Sequence, residues 1–240
     1  MILIVRKNNI ILVTLILLLS VLLYSLNFGH SEASPVASGI SSQRTVMLDP
    51  GHGGEDPGAV SDYSGILEKD INLYIANRVK ELLEKDGYNI FMTRSEDRLE
   101  YKPGTPGYTE KREQDLIRRK QMMDESGADI VVSIHLNKFK ETQYYGFQTF
   151  YAPGSAEGQK LAVSIQRSLK ELVDSNNKRE ALVKKEPIII LKNVKTTTAI
   201  VECGFLSNSE EEKKLASKEY QDKLAMGIAE GIKRYFDNKK

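Results

Sequence analysis

The 240-residue chain has a hydrophobic content of 40% and a charged content of 28%, which are typical of one globular domain with a full core. Its 34 lysines and arginines nearly balance its 33 acidic residues, so it lacks the basic excess of a nucleic-acid-binding protein. Its single cysteine, Cys203, excludes an intramolecular disulfide and a zinc site built from thiolates.

The N-terminal region is hydrophobic and follows a basic pair. Arg6 and Lys7 precede an uncharged run over residues 10–23, which is typical of a secretory signal peptide or a short membrane anchor. Either form exports the rest of the chain from the cytoplasm. We therefore predict a signal peptide or anchor over residues 1–28, a linker over residues 29–44 and one folded domain over residues 45–240.

From Thr45 onward, predicted strands alternate with predicted helices. This alternation indicates an α/β domain with a mostly parallel, twisted sheet of about six strands and helices on both faces. The strands are predicted over residues 45–49, 88–92, 130–135, 144–151, 188–191 and 198–202. The helices are predicted over residues 65–85, around 116–126, and over 158–173, 209–216 and 219–236. Residues 175–187 are charged and are predicted to form a loop.

Polar residues follow three of these strands where the strands end. His52 lies in a glycine-rich loop after the first strand, His135 ends the third, and Glu202 ends the last. Because the carboxyl ends of parallel strands face one crevice, we expect these side chains to meet there. Two imidazoles and a carboxylate are a ligand set of catalytic zinc. Asp49, at the end of the first strand, either orients His52 or shapes the turn.

Structural roles are the alternatives at each position. His52 could be a turn residue, and His135 could be a hydrogen-bonded core histidine. Glu68, in the first turn of a helix, could be only a partner of the helix dipole. If the site is a zinc site, either Glu68 or Glu202 is the ligand and the other accepts a proton. Cys203 could be a catalytic thiol, although a free cysteine is more often a small buried hydrophobic residue.

Together these motifs resemble the zinc-dependent N-acetylmuramoyl-L-alanine amidases of type 3, a family of bacterial cell-wall hydrolases. The resemblance covers the chain from Thr45 onward, with several motifs in the family order. The matching pieces are Leu48-Asp-Pro-Gly-His-Gly-Gly54, Glu68-Lys-Asp70, Thr93-Arg94 with Asp97, Leu116 with Arg119, Ser133-Ile-His135 with Asn137, and Val201-Glu-Cys-Gly-Phe-Leu-Ser-Asn208.

The resemblance implies one Zn²⁺ per chain, held by His52, Glu68 and His135, with Glu202 as the catalytic base. It implies hydrolysis of the amide that joins N-acetylmuramic acid to L-alanine of the peptidoglycan stem peptide. The residues that would contact substrate or support the ligands are Asp49, Arg94, Arg119 and Asn137.

The sequence around Glu202 and the hydrophobic N-terminal region are similar to those of the germination-specific, CwlD-like amidases of spore formers, which act on spore cortex. The implied partners are peptidoglycan, the membrane through the N-terminal segment and a protein that activates or targets the enzyme. Two alternatives stay open. One is another exported zinc amidohydrolase or peptidase, and the other is a cell-wall binding protein that depends on a partner.

Overall fold

The structure, a computed structural model, describes residues 15–20, 43–186 and 188–239. The predicted signal peptide or anchor over residues 1–28 and the predicted linker over residues 29–44 lie almost entirely outside the described residues. Residues 15–20 are helical, and no helix in the described part of the chain is long and apolar enough to cross a membrane. The residues described from 43 onward belong to one compact unit.

A six-stranded sheet with the order β2-β1-β3-β6-β4-β5 forms the centre of this unit. The strands are β1 (Thr45–Pro50), β2 (Asn89–Met92), β3 (Ile130–Asn137), β4 (Gln148–Tyr151), β5 (Leu182–Val183) and β6 (Thr197–Phe205). Neighbouring strands are parallel except β4 and β6, which are antiparallel. The prediction of a mostly parallel sheet is therefore confirmed.

Helices cover both faces of the sheet, as predicted. They are α1 (Glu68–Lys85), α2 (Tyr108–Glu125), α3 (Ala156–Leu172), α4 (Ser209–Ala216) and α5 (Lys218–Asp237). Helices α1, α3 and α5 pack against each other and one face. Helix α2 and a 3₁₀ turn (Ile189–Leu191) pack together over the other face. The domain is thus a three-layer α/β fold.

Side chains alternate between the two faces of the sheet along each strand, so the two faces carry different residues. Met47, Val131 and Ile200 point toward α2 and form a small apolar cluster. Because every second side chain shares a face, the next residue on that face of β3 after Ser133 is His135, and that of β6 after Ile200 is Glu202. The apolar cluster therefore continues into polar side chains at the carboxyl end of the sheet, where the predicted site lies.

Three predicted elements differ from the structure. The predicted strand over 188–191 is the 3₁₀ turn, because β5 occupies the sheet edge beside β4 and the apolar side chains pack on α2 instead. The predicted loop over 175–187 contains β5, whose Leu182 is about half exposed and gives no burial signal. The predicted strand over 144–151 is regular only from Gln148.

Candidate metal centre

His52 is held rigidly in the loop that follows β1. Its backbone has a φ of 64°, in the left-handed region that side chains other than glycine rarely adopt. Arg119 Nη2 donates a hydrogen bond of 2.7 Å to the carbonyl of His52. The Nδ1 atom of His52 lies 2.8 Å from Oδ2 of Asp56. Both contacts fix the imidazole, so that its Nε2 atom faces Glu68.

Asp56 is itself fixed by three donors. The Tyr108 hydroxyl donates to Oδ1 at 2.7 Å, the Gly58 amide donates to Oδ1 at 3.1 Å, and Arg112 Nε donates to Oδ2 at 3.2 Å. Sequence patterns do not single out Asp56, because aspartate is common in turns. The sequence signal that could have identified Asp56 is its spacing of four residues from His52 within a glycine-rich loop. A carboxylate behind a metal-binding histidine sets the tautomer of the ring.

Glu68, the first residue of α1, places one oxygen between the two histidines. Its Oε1 atom lies 3.3 Å from Nε2 of His52 and 3.0 Å from Nδ1 of His135. The Leu136 amide donates to the same oxygen at 2.9 Å, and the Ala59 amide donates to Oε2 at 2.8 Å. The side chain is buried, and backbone amides from two segments determine its position.

Glycine is required where the loop crosses His135. A Cβ atom built on Gly51 would lie 2.1 Å from Cε1 of the His135 ring. The backbone of the loop therefore packs directly on the imidazole. The rings of His52 and His135 are 5.0 Å apart between centroids and nearly perpendicular, at 82°.

The three side chains fit a zinc ion by their chemistry and spacing. One ligand atom from each of His52, Glu68 and His135 lies within 4.8 Å of the other two. Two imidazole nitrogens and a carboxylate oxygen are a common donor set for zinc, and donors that share one tetrahedral ion lie about 3.3 Å apart. Burial alone would lower the pKa of His52, but the carboxylates of Asp56 and Glu68 raise it to about 9. The same field stabilises a cation at this position.

We predict that Asp56→Asn weakens zinc binding about 10-fold to 100-fold, because the amide no longer fixes and polarises His52 through its Nδ1 atom. The fold should be retained, since Asp56 lies in a loop. Competition with a zinc-binding dye measures the affinity. Asp62→Asn, at an exposed carboxylate that pairs with Lys138, is the matched control and should bind zinc like the original chain. Equal affinities for both variants would contradict the role of Asp56.

Glu202 lies beside the trio with an oxygen that has no partner. It stands opposite His135 in the pairing of β3 with β6 and is 8% exposed. Among the described residues, its Oε2 atom has no hydrogen-bond partner, and its Oε1 atom lies 3.9 Å from Nζ of Lys184. Burial, with a smaller contribution from Glu68, raises the pKa of Glu202 above its usual range. A buried carboxylate without donors has an elevated proton affinity, which suits a proton acceptor.

A cavity of about 70 Å³ adjoins the two histidines. Its apolar side is formed by Leu116 of α2, by Ile190 of the 3₁₀ turn and by Ile188, which precedes that turn. His52 and His135 form part of its polar side. The apolar run that was predicted to be a strand therefore lines the site.

Asp49 does not contact the imidazole of His52. Its Oδ1 atom accepts hydrogen bonds from Thr93 Oγ1 at 2.6 Å and from Arg119 Nη1 at 3.0 Å, and its Oδ2 atom accepts one from Ser133 Oγ at 2.6 Å. The prediction that Asp49 orients His52 is thus corrected. The connection is indirect, since Arg119 bridges Asp49 and the His52 carbonyl, and Asp56 contacts the ring.

Arg94 and Asn137 occupy different surroundings. Arg94 is buried and donates to the carbonyls of Pro50 and Gly51, at 2.9 and 3.0 Å, and to that of Lys69 at 2.8 Å. Arg94 therefore holds the backbone of the loop that carries His52. Asn137 ends β3 with a partly exposed side chain, and its carbonyl accepts from the Leu206 amide at 2.8 Å.

The buried charge of Asp49 gives a stability prediction. Burial alone would raise the pKa of Asp49, but Arg119 and the hydroxyls of Ser133 and Thr93 lower it to about 2. A lowered pKa stabilises the folded chain at every pH above about 4, and this stabilisation of about 2 kcal/mol is lost as the pH falls from 4 to 2.

We expect Asp49→Asn to lower the free energy of unfolding at pH 7 by about 3 kcal/mol, since Arg119 loses a buried partner. Urea unfolding of the original chain and of the Asp49→Asn variant at several pH values measures the effect. The difference between the chains should shrink below pH 4. A difference that stays constant down to pH 2 would contradict the assignment of the charge to Asp49.

Cys203 lies on the opposite face of β6 from Glu202, in the large apolar core. It is fully buried, and burial raises the pKa of its thiol. A thiolate nucleophile requires a lowered pKa and access to substrate. The structure therefore gives no support to the catalytic-thiol alternative.

Comparison with known proteins identifies relatives of the whole domain. A family model described as N-acetylmuramoyl-L-alanine amidase matches residues 46–234. The germination-specific N-acetylmuramoyl-L-alanine amidase of Bacillus subtilis (strain 168) is 36% identical over 217 residues, which are 90% of this chain and 90% of that protein.

Two solved structures resemble the chain closely. The CwlD amidase of Clostridioides difficile, solved in complex with the GerS lipoprotein, is 40% identical with a TM-score of 0.79, over 82% of this chain and 100% of that one. An N-acetylmuramoyl-L-alanine amidase from Clostridium difficile 630 is 32% identical with a TM-score of 0.72, over 83% of this chain and 100% of that one. The sequence and structure comparisons therefore both identify N-acetylmuramoyl-L-alanine amidases.

Proposed function

Because the chain belongs to the N-acetylmuramoyl-L-alanine amidase family, we propose that it hydrolyses its substrate amide with one zinc ion bound by His52, Glu68 and His135. The reaction is hydrolysis of the amide between N-acetylmuramic acid and L-alanine of the stem peptide. The observation that carries the proposal is the convergence of the three ligand atoms beside the unpartnered carboxylate oxygen of Glu202.

The zinc ion, when bound, supplies a Lewis acid that polarises the amide carbonyl and lowers the pKa of water. The residues of the chain then have separate roles. His52, His135 and Glu68 would hold the ion through the atoms that converge in the structure, which are Nε2 of His52, Nδ1 of His135 and Oε1 of Glu68. Glu202 accepts the proton of the attacking water and returns it to the amine that leaves. Its raised proton affinity and free Oε2 atom support this assignment.

We assign the substrate to spore cortex peptidoglycan. The support is the germination-specific name of the Bacillus subtilis relative, which aligns along 90% of its length. Peptidoglycan lies outside the cytoplasmic membrane, so we place the active domain there, exported by the hydrophobic N-terminal segment. We further propose that a protein partner assists the chain, since a relative with 40% identity was solved in complex with a lipoprotein.

Product analysis tests the reaction. Purified peptidoglycan is digested with the purified chain and zinc, and the products are analysed by mass spectrometry. We expect free stem peptides with an L-alanine amino terminus beside intact glycan. Release of acetate would indicate a deacetylase, and shortened stems that remain on the glycan would indicate a peptidase. No release from a zinc-loaded chain, with activity restored by a co-purified partner, would indicate a partner-dependent enzyme.

A further inference from the structure

A basic groove adjoins the site, and no step of the reaction above uses it. The groove has a volume of about 330 Å³ and lies between the end of β4 and the 3₁₀ turn. Lys184, Lys185 and Lys192 line it, with Glu186 as the one acidic residue of its lining. The lining therefore carries a net charge of about +2 at neutral pH, by three lysines against one glutamate.

The groove is connected to the catalytic centre at two points. Ile188 lines both the groove and the cavity beside His52 and His135. Lys184 lines the groove, and its Nζ atom lies 3.9 Å from Oε1 of Glu202. The groove and the cavity therefore share the Ile188 side chain, and Lys184 places the groove beside the carboxylate of Glu202.

The ammonium group of Lys184 is positioned by its surroundings but donates no hydrogen bond to any residue that the structure describes. Its Nζ atom lies 4.5 Å from the centre of the Phe150 ring, and its side chain is 17% exposed. Its nearest carboxylates, in Glu186 and Glu202, are both 3.9 Å away, which is beyond hydrogen-bond distance. An ammonium has three donors, so Lys184 retains the capacity to bind an acceptor from a ligand.

We propose that Lys184, with Lys185 and Lys192, binds a carboxylate of the stem peptide and makes the enzyme selective for acidic stems. This inference rests on the proposed function, because it places the peptide side of the scissile amide in the groove. The residue after L-alanine in a stem peptide is D-glutamate, whose α-carboxylate is free unless it is amidated to D-isoglutamine. The proposed ligand is this carboxylate.

The distances agree with this assignment. The α-carboxylate of the second residue lies about two residue lengths, roughly 7 Å, from the nitrogen of the scissile amide. The 3.9 Å between Nζ of Lys184 and Oε1 of Glu202, extended by a hydrogen bond of about 3 Å from Nζ to the carboxylate, spans a similar length. Lys185 and Lys192 are exposed and form no ion pair within the part of the chain that the structure describes, so they add to the positive field of the groove.

Two substrates that differ in one group test the proposal. They are N-acetylmuramoyl tetrapeptides with D-glutamate or with D-isoglutamine in second position, cleaved by the full chain with zinc. We expect kcat/KM to be about tenfold higher for the D-glutamate substrate. Lys184→Met should remove this preference by slowing the D-glutamate substrate about tenfold more than the D-isoglutamine substrate, and Lys184→Arg should restore it. Lys195→Met, at an exposed lysine outside the groove, should keep the preference.

Three results would overturn the proposal. Equal rates of the original chain on both substrates would show that the carboxylate is not recognised. Equal loss on both substrates in Lys184→Met would show that Lys184 acts only on Glu202. In both cases the amidase function stands. Cleavage of neither substrate by the zinc-loaded chain, with or without a co-purified partner, would overturn the proposed function together with this inference.

Discussion

Glu202→Gln should lower kcat by about three orders of magnitude and leave the zinc content of the chain unchanged. The amide has the shape of the carboxylate but cannot accept a proton from water. Glu202 is not one of the three residues whose ligand atoms converge, so its replacement should not release the ion. The two measurements are kcat on a soluble muropeptide and the zinc stoichiometry of the same preparation.

The adjacent residue supplies a control. Cys203→Ala changes the next side chain of β6, on the opposite face of the sheet, and should retain both activity and zinc. Full activity in Glu202→Gln would contradict the assignment of the base. Loss of zinc in that variant would indicate that Glu202 is a ligand, and Glu68 would then be the candidate for the base.

The sequence leaves the roles of Glu68 and Glu202 undivided, because both are carboxylates expected at the same edge. Their surroundings separate them in the structure. Both oxygens of Glu68 accept backbone hydrogen bonds, and Oε1 also faces His52 and His135. Glu202 keeps one oxygen without a partner among the described residues. At the level of the sequence, the family resemblance assigns Glu68 as the ligand and Glu202 as the base. The residue pattern alone does not separate these two roles.

The sheet and the meeting of the strand ends are predictable because they depend on local patterns. Apolar runs that end in His135 and Glu202 indicate buried parallel strands, and parallel strands place their ends together. Contacts between distant segments are not predictable in this way. The turn at Ile189–Leu191 has the apolar composition of a strand, and its packing against α2 decides its conformation.

Supporting residues show the same limit. Asp49 has the sequence position of a residue that orients His52, whereas Asp56 makes the contact with the ring. The difference arises in the loop after β1, where His52 has a left-handed backbone and its Nδ1 atom faces Asp56. Lys184 has no sequence pattern at all, since it lies in a charged stretch. Its relation to Glu202 follows from the pairing of β5 with β4, which only the structure describes.

His135→Ala should lose both zinc and activity, in contrast to Glu202→Gln. The substitution removes one of the three donors and leaves an open space against Gly51, so we expect zinc affinity to fall more than about 100-fold. Zinc should raise the thermal unfolding temperature of the original chain, since it binds the folded state, and should not raise that of the variant.

Asn137→Ala is the matched control for zinc binding, because it changes the next residue on the same face of β3 and removes no member of the trio. It should retain the zinc-dependent rise in unfolding temperature, whatever its effect on turnover. Circular dichroism establishes that both variants are folded before zinc is added. If His135→Ala still bound one equivalent of zinc with unchanged affinity, the ion would lie elsewhere, and the arrangement of His52 and Glu68 would have to be explained by hydrogen bonding alone.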